Sequence, residues 1–158
     1  MSNADAIVSP CGTYRYRLSR HWSPGTETAL FIMLNPSTAD ASQDDPTIRK
    51  CTNYARAWGF ARLEVVNLYA FRATRPADLH AALDSAVGPD NDDHIRAATR
   101  SADLVVAAWG AWKFAEPRAR EVRRIIEPIA RLHCLARSMS GAPRHPLYLR
   151  SDLKPSPL

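Results

Sequence analysis

The stretch Phe31-Ile32-Met33-Leu34-Asn35-Pro36-Ser37-Thr38-Ala39-Asp40 decides the fold of this chain. Its first half completes an apolar run at 29–34, which is typical of a central strand buried on both faces. The run stops abruptly at a polar Asn-Pro-Ser turn. Because open α/β sheets bind ligands at the carboxyl ends of their strands, this turn indicates a binding or catalytic site.

Three further apolar runs, at 63–70, 104–108 and 132–135, predict strands, and amphipathic patterns between the runs predict helices. Strands that alternate with helices are typical of a parallel sheet with right-handed crossovers. The sequence therefore predicts an α/β fold, with a single three-layer domain built on a four-stranded, mostly parallel central sheet.

Local signals add detail to this prediction. Residues 13–22 alternate with a period of two, which predicts a half-exposed strand with Arg15 on its polar face. Asp45 is the expected N-cap of the first helix, with Pro46 at its first position. Asn91 is a candidate cap for a later helix.

Length and composition indicate one ordinary soluble domain. The 158 residues are 46% hydrophobic and 23% charged, which is typical of globular proteins. We expect one domain over 1–158, with 1–12 and 151–158 loosely ordered. No signal peptide or apolar run of about 18 residues is present, so we expect a cytoplasmic protein without a membrane partner. The oligomeric state stays open.

The spacing of the cysteines and the distribution of charge limit the possible cofactors and partners. The three cysteines form no metal or disulfide motif, so we expect neither a metal nor another cofactor. Residues 113–150 hold nine basic and three acidic side chains. Since arginine suits bidentate phosphate contacts, this segment is either a phosphate-binding surface or a solvated helix face.

Polar or glycine features follow every predicted strand. Parallel strands bring their carboxyl ends to one edge of the sheet, so these features should converge there. The candidates are Asn35, Pro36 and Ser37 after the first strand, Asn67, Arg72 and Arg75 in or after the second, Trp109 after the third, and Arg144, His145 and Tyr148 after the fourth. Asp40 is a candidate general base, or else a turn former.

The chain resembles the DUF1643 family over nearly its whole length. The resemblance rests on Met33-Leu34-Asn35-Pro36-Ser37-Thr38-Ala39-Asp40, Asp44-Asp45-Pro46-Thr47-Ile48-Arg49, Val66-Asn67-Leu68 and Pro143-Arg144-His145-Pro146-Leu147-Tyr148. This family implies no particular activity.

The order of these motifs is also similar to that of the uracil-DNA glycosylase superfamily. Leu34-Asn35-Pro36-Ser37 resembles its water-activating motif, although Met33 stands where glycine is usual. Asn67 matches the asparagine that reads the base edge. His145-Pro146 resembles the motif that stabilises the leaving base, with Leu147 in place of serine. The cysteines of the iron–sulfur branch are absent.

This second resemblance implies a uracil-DNA-glycosylase-like fold and a nucleobase- or nucleotide-directed hydrolase of N-glycosidic bonds, acting on DNA or on a nucleotide. Asn35 would position water, Asn67 would read the base, and His145 would donate to the developing oxyanion. The arginines would hold phosphates, and Trp109 or Tyr148 would stack on a base. The alternative is a non-catalytic nucleic-acid or nucleotide binding module on the same fold, which does not need Asn35 and His145 together.

Overall fold

Residues 3–158 are described by a computed structural model, and they form one mixed sheet of seven strands with four α-helices. The strands are β1 (Asn3–Val8), β2 (Arg15–His21), β3 (Thr28–Met33), β4 (Arg62–Asn67), β5 (Leu104–Ala107), β6 (Leu132–Cys134) and β7 (Ser156–Pro157). The helices are α1 (Pro46–Ala57), α2 (Pro76–Ala81), α3 (Asn91–Ser101) and α4 (Glu116–Ile126). The predicted α/β class is confirmed.

The sheet is larger and more mixed than the predicted four-stranded, mostly parallel one. Its strand order is β1-β2-β4-β3-β5-β6-β7. The pairs β4–β3, β3–β5 and β5–β6 are parallel, whereas β1–β2, β2–β4 and β6–β7 are antiparallel. The chain termini supply both edge strands, from segments expected to be loosely ordered. Edge strands form through backbone hydrogen bonds, which the polar sequence of these segments does not reveal.

Both faces of β3 are buried, as its apolar run predicts. Leu30 and Ile32 lie on one face in a core shared with α3 and α4. Phe31 and Met33 lie on the other face in a core shared with α1. Helices therefore cover the sheet on both sides, and the carboxyl ends of the parallel strands are left to form a site.

The two predicted helix caps have different outcomes. Asp45 is the N-cap of α1, and its Oδ1 accepts a 2.8 Å hydrogen bond from the backbone N–H of Ile48. Asn91 is the first residue inside α3, where Asp90 is the N-cap, so the prediction of Asn91 as a cap is wrong. The side chain of Asn91 instead bonds to the end of β4.

Two arginines of β2 are buried. The burial of Arg15 departs from the period-two pattern, whereas Arg20 lies on the same buried face as Leu18. Arg15 is 2% exposed and Arg20 is 8% exposed. Arg20 donates to the carbonyl oxygens of Asp40 and Gln43 and pairs with Asp44 at 2.9 Å. The expectation that Arg15 faces solvent is wrong, because the loop between β3 and α1 folds over this end of β2.

We expect Asp45→Ala to lower the free energy of unfolding by about 1 kcal/mol, because an N-cap bond is lost. Asp45→Asn should leave stability within a few tenths of a kcal/mol of wild type, since asparagine caps equally well. Urea unfolding of the two variants measures both effects. Equal losses in both would show that the charge of Asp45, and not its cap bond, stabilises α1.

Candidate functional site

An open cavity of about 580 Å³ lies at the carboxyl ends of β3 and β4. Its wall is formed mainly by residues 33–38, the start of α1, Ala73, Thr74, Pro76, His145, Leu147 and Tyr148. Small-molecule sites commonly have volumes of roughly 300–1,000 Å³. The cavity lies at the sheet edge where the predicted site residues were expected to meet.

The structure brings six of the predicted site residues together in this cavity. They come from three separate parts of the chain, and each of them lines the wall. The six are Asn35, Pro36, Ser37, Asn67, His145 and Tyr148.

Asp40 does not line the cavity. Its carboxylate accepts hydrogen bonds from the backbone N–H groups of Ser42 and Gln43 and from the Ser42 hydroxyl. These donors lower the pKa of Asp40 below its usual range. Asp40 thus forms a local turn, and the carboxylate that lines the cavity is the capping residue Asp45.

Trp109 also lies outside this cavity, since it is 4% exposed and packs in the core beside α4. Trp112 lines the cavity instead and is 44% exposed. Gly110 has a φ of +84°, which turns the chain between the two tryptophans. The aromatic side chain available at the cavity is therefore three residues beyond the predicted one.

Tyr148 is a second aromatic side chain at the cavity, and it is 93% exposed. Its φ of +70° lies in the left-handed region, which costs a non-glycine residue about 1–3 kcal/mol. Strained residues cluster at ligand sites. This conformation is consistent with a ligand-contacting role for the ring.

The three predicted phosphate-binding arginines lie outside the lining. Arg75 is exposed and pairs with Asp78 at 3.2 Å. Arg144 is exposed, and its backbone N–H bonds to the carbonyl of Ala136. Arg72 is half-buried beside the cavity, where its charge acts on both Arg15 and Asp40.

The Asn35 side chain holds the cavity wall together. Its Nδ2 donates to the carbonyl of Ala73 at 2.8 Å and to that of Pro36 at 3.0 Å. Pro36 in turn accepts a bond from the backbone N–H of Ala73. The amide nitrogen is thus committed to the loop, and Oδ1 is the atom that Asn35 can offer to water.

Asn67 is buried without partners for its amide. It is 1% exposed, and neither Oδ1 nor Nδ2 has a hydrogen-bond partner within residues 3–158. Its backbone carbonyl, by contrast, accepts a 3.0 Å bond from Asn91 Nδ2. A buried amide that lacks partners is costly, and the amide of Asn67 belongs to a residue that lines the cavity wall.

His145 has a defined orientation. Its Nδ1 accepts a 3.2 Å bond from the backbone N–H of Leu147, which places the proton of the neutral ring on Nε2. Burial lowers the pKa of His145 below 6.5, and the charge of Asp45 partly offsets this effect. The ring is therefore a neutral Nε2–H donor at pH 7.

Contacts from α1 and from Gly110, which follows β5, fix the loop that carries His145. Lys50 Nζ donates to the carbonyl of Leu149 at 2.6 Å, and the Tyr54 hydroxyl donates to the carbonyl of Arg150. The backbone N–H of Gly110 bonds to the carbonyl of Pro143 at 2.8 Å. These bonds hold His145 against a rigid frame, as a positioned donor requires.

Arg15, Asp45 and Trp112 are among the cavity residues that the sequence-based prediction of the site did not include. Asp45 was interpreted as a helix cap in preference to a catalytic carboxylate, and Arg15 was placed on the exposed face of its strand. A signal for Trp112 was present, because it lies two residues after Gly110 in the segment that follows the apolar run 104–108. The basic segment 113–150 proved partly structural, since Arg118, Arg123 and Arg150 pair with carboxylates.

The fold and site define an α/β protein with a largely apolar cavity, which holds a few polar side chains, at the carboxyl edge of its parallel strands. The family described as "Protein of unknown function (DUF1643)" matches residues 15–147, and the chain therefore belongs to the DUF1643 family. No curated protein and no solved structure matches the chain. The resemblance to uracil-DNA glycosylases stays a prediction. Within residues 3–158, no helix is both long and apolar enough to cross a membrane.

Two buried asparagines should respond oppositely to the same substitution. Asn67→Leu should raise the free energy of unfolding by about 1 kcal/mol, because it removes two unpaired buried polar atoms. Asn91→Leu should lower it by about 2 kcal/mol, since Asn91 donates to the carbonyls of Asn67 and Leu68. Urea unfolding measures both. A large loss in Asn67→Leu would mean that its amide is satisfied within the free protein.

We expect NMR titration to give His145 a pKa below 6.5, and Asp45→Asn to lower it further while keeping the helix cap. The pKa of His145 is lower in the folded than in the unfolded protein. Its contribution to the free energy of unfolding is therefore fully present above pH 6.5 and is lost as the pH falls below that value. The free energy of unfolding of His145→Gln should therefore decline less than that of wild type between about pH 7 and about pH 5. An unchanged decline would contradict the lowered pKa.

Proposed function

We propose that this protein hydrolyses the N-glycosidic bond of a nucleotide or nucleic acid. The observation that carries the proposal is the buried, unpartnered amide of Asn67 at the cavity. A nucleobase edge presents neighbouring donors and acceptors, and an asparagine amide matches such a pair. Burial makes this recognition selective, because a ligand without the matching groups leaves the amide unpaired.

His145 supplies the second part of the chemistry. When the C1′–N bond breaks, its electron pair moves onto the base, and negative charge develops on the base oxygen. A neutral Nε2–H donor stabilises this charge through a positioned hydrogen bond. The low pKa of His145 suits this role, since the ring remains neutral at pH 7 and needs no proton transfer.

Water attack requires an orienting group and a proton acceptor. Asn35 Oδ1 orients the water, while its Nδ2 keeps the loop in place. Asp45 replaces Asp40 as the proton acceptor in this proposal, because it is the carboxylate that lines the cavity. The water oxygen bonds to C1′, one water proton moves to Asp45, and the base leaves as an anion hydrogen-bonded to His145.

One observation favours the alternative, a non-catalytic nucleic-acid or nucleotide binding module. The Asn35 amide nitrogen closes the loop between 35 and 73, which is a sufficient structural reason for its presence. Asn67, Trp112 and Tyr148 provide base recognition and stacking surfaces without any catalysis. The two functions share a site and differ in whether His145 affects turnover.

Release of free base from mononucleotides, nucleosides and uracil- or hypoxanthine-containing oligonucleotides tests the proposal directly. Oligonucleotides should be single- and double-stranded and should be treated with alkali to reveal abasic sites. His145→Ala should reduce the rate about 10²- to 10³-fold, as expected for the loss of one oxyanion donor. Asn35→Ala should reduce it as well.

His80→Ala is the matched control, since His80 is exposed and does not line the cavity. Its rate should equal that of wild type. Absence of base release by folded wild-type protein on every substrate, together with retained binding, would replace the hydrolase by the binding module. Equal rates in His145→Ala and wild type would remove His145 from the mechanism.

A further inference from the structure

Arg15 is a buried cation without a carboxylate partner. Its side chain lines the cavity although the residue is only 2% exposed. Nη1 donates to the carbonyl of Ala39 at 2.7 Å, and Nε has no partner. Among residues 3–158, no carboxylate oxygen lies within 4 Å of this guanidinium, in contrast to Arg17, Arg20 and Arg118.

The neighbouring charged groups do not supply Arg15 with a contacting anion. Burial lowers the pKa of Arg15 to about 10, so it stays positively charged at pH 7. Arg72 lies close enough to disfavour the charge further. The carboxylates of Asp40 and Asp45 attract Arg15 from a distance, but Asp40 is bonded to Ser42 and Gln43, and Asp45 caps α1.

A buried charge is stable when an opposite charge contacts it, and it is costly otherwise. An unpaired guanidinium at a cavity wall therefore indicates an anionic ligand group. The first turn of α1, which includes Thr47, lines the same cavity and adds the positive end of its dipole. Arg15 offers a planar fork of donors that matches phosphate oxygens.

We propose that Arg15 binds the phosphate group of a free nucleoside monophosphate whose base contacts Asn67. This inference rests on the proposed function, because Asn67 and Arg15 serve one ligand in one cavity. It names the substrate as a mononucleotide and distinguishes it from a nucleic-acid strand. None of the earlier candidate arginines lines the cavity, whereas Arg15 does.

Burial of Arg15 favours a terminal phosphate over the phosphate of a strand. A phosphate that reaches a 2% exposed guanidinium must enter the cavity. An internal phosphodiester brings a nucleoside on each side, whereas the cavity of about 580 Å³ has the size of a site for one small molecule. A mononucleotide enters alone and presents its phosphate at one end.

A two-by-two binding experiment tests this proposal. Calorimetry compares the four ribonucleoside 5′-monophosphates with the corresponding nucleosides, on wild type and on Arg15→Met. At least one monophosphate should bind wild type about 10- to 100-fold more tightly than its nucleoside, the range expected for a charge-assisted contact. In Arg15→Met this difference should vanish. The readout is the ratio of the two affinities, because any change in the loop that Arg15 holds through Ala39 affects both ligands in the same cavity.

Two further variants show whether the effect of Arg15→Met comes from the lost phosphate contact or from a change in folding. Arg100→Met removes one exposed arginine at the end of α3, away from the cavity, and should keep the wild-type preference for the monophosphate. Arg15→Lys keeps the charge but not the fork, and should show an intermediate preference. If Arg15→Met does not fold, the wild-type and Arg15→Lys comparisons still decide the outcome.

Equal affinities of nucleoside and monophosphate in wild type would overturn the proposal. So would Arg15-dependent binding of a single-stranded oligonucleotide without binding of any monophosphate. The result is separable from the proposed hydrolysis. Arg15-dependent binding of a monophosphate that releases no base retains the phosphate site and rejects the hydrolase. Base release from an oligonucleotide at the same rate in wild type and in Arg15→Met retains the hydrolase and rejects the phosphate site.

Discussion

Hydrogen bonds from two buried arginines of β2 hold the loop between β3 and α1, and the cavity depends on this loop. Arg20 donates to the carbonyls of Asp40 and Gln43, and Arg15 donates to that of Ala39. A guanidinium can serve several carbonyls at once because its five N–H groups diverge in one plane. The loop begins at Asn35 and ends at the cap residue Asp45, so these bonds set the positions of two polar side chains at the cavity.

Buried side chains satisfy the backbone carbonyl groups next to the cavity. At the end of β4, Asn91 donates to the carbonyls of Asn67 and Leu68, and Arg118 donates to that of Leu68 at 2.8 Å. The chain therefore uses two buried side chains to satisfy backbone groups at this point. The amide of Asn67 and the Nε of Arg15 remain unpaired at the cavity nearby. These three unpaired atoms belong to residues that line one concave surface, where a ligand can supply their partners.

The sequence predicted the features that depend on hydrophobic pattern and strand direction. The run 29–34 indicated a strand buried on both faces, and polar residues after parallel strands indicated where Asn35, Asn67 and His145 would meet. The edge strands β1 and β7 were missed because backbone pairing leaves no clear mark on side-chain pattern. Arg15 was misassigned for a related reason: a period of two separates the faces of a strand but does not show that a distant loop will cover one of them.

The charge of Asp45 acts on both Arg15, the proposed phosphate-binding residue, and His145, the proposed hydrogen-bond donor. This charge favours the protonated forms of both Arg15 and His145, so Asp45 is near enough to affect each. A phosphate brought into this space without a cation would favour protonation of His145 and remove the neutral donor. A guanidinium that contacts the phosphate offsets that negative charge locally. The proposed pairing of Arg15 with phosphate therefore explains both how the cavity accepts an anion and how His145 stays neutral when the anion is bound.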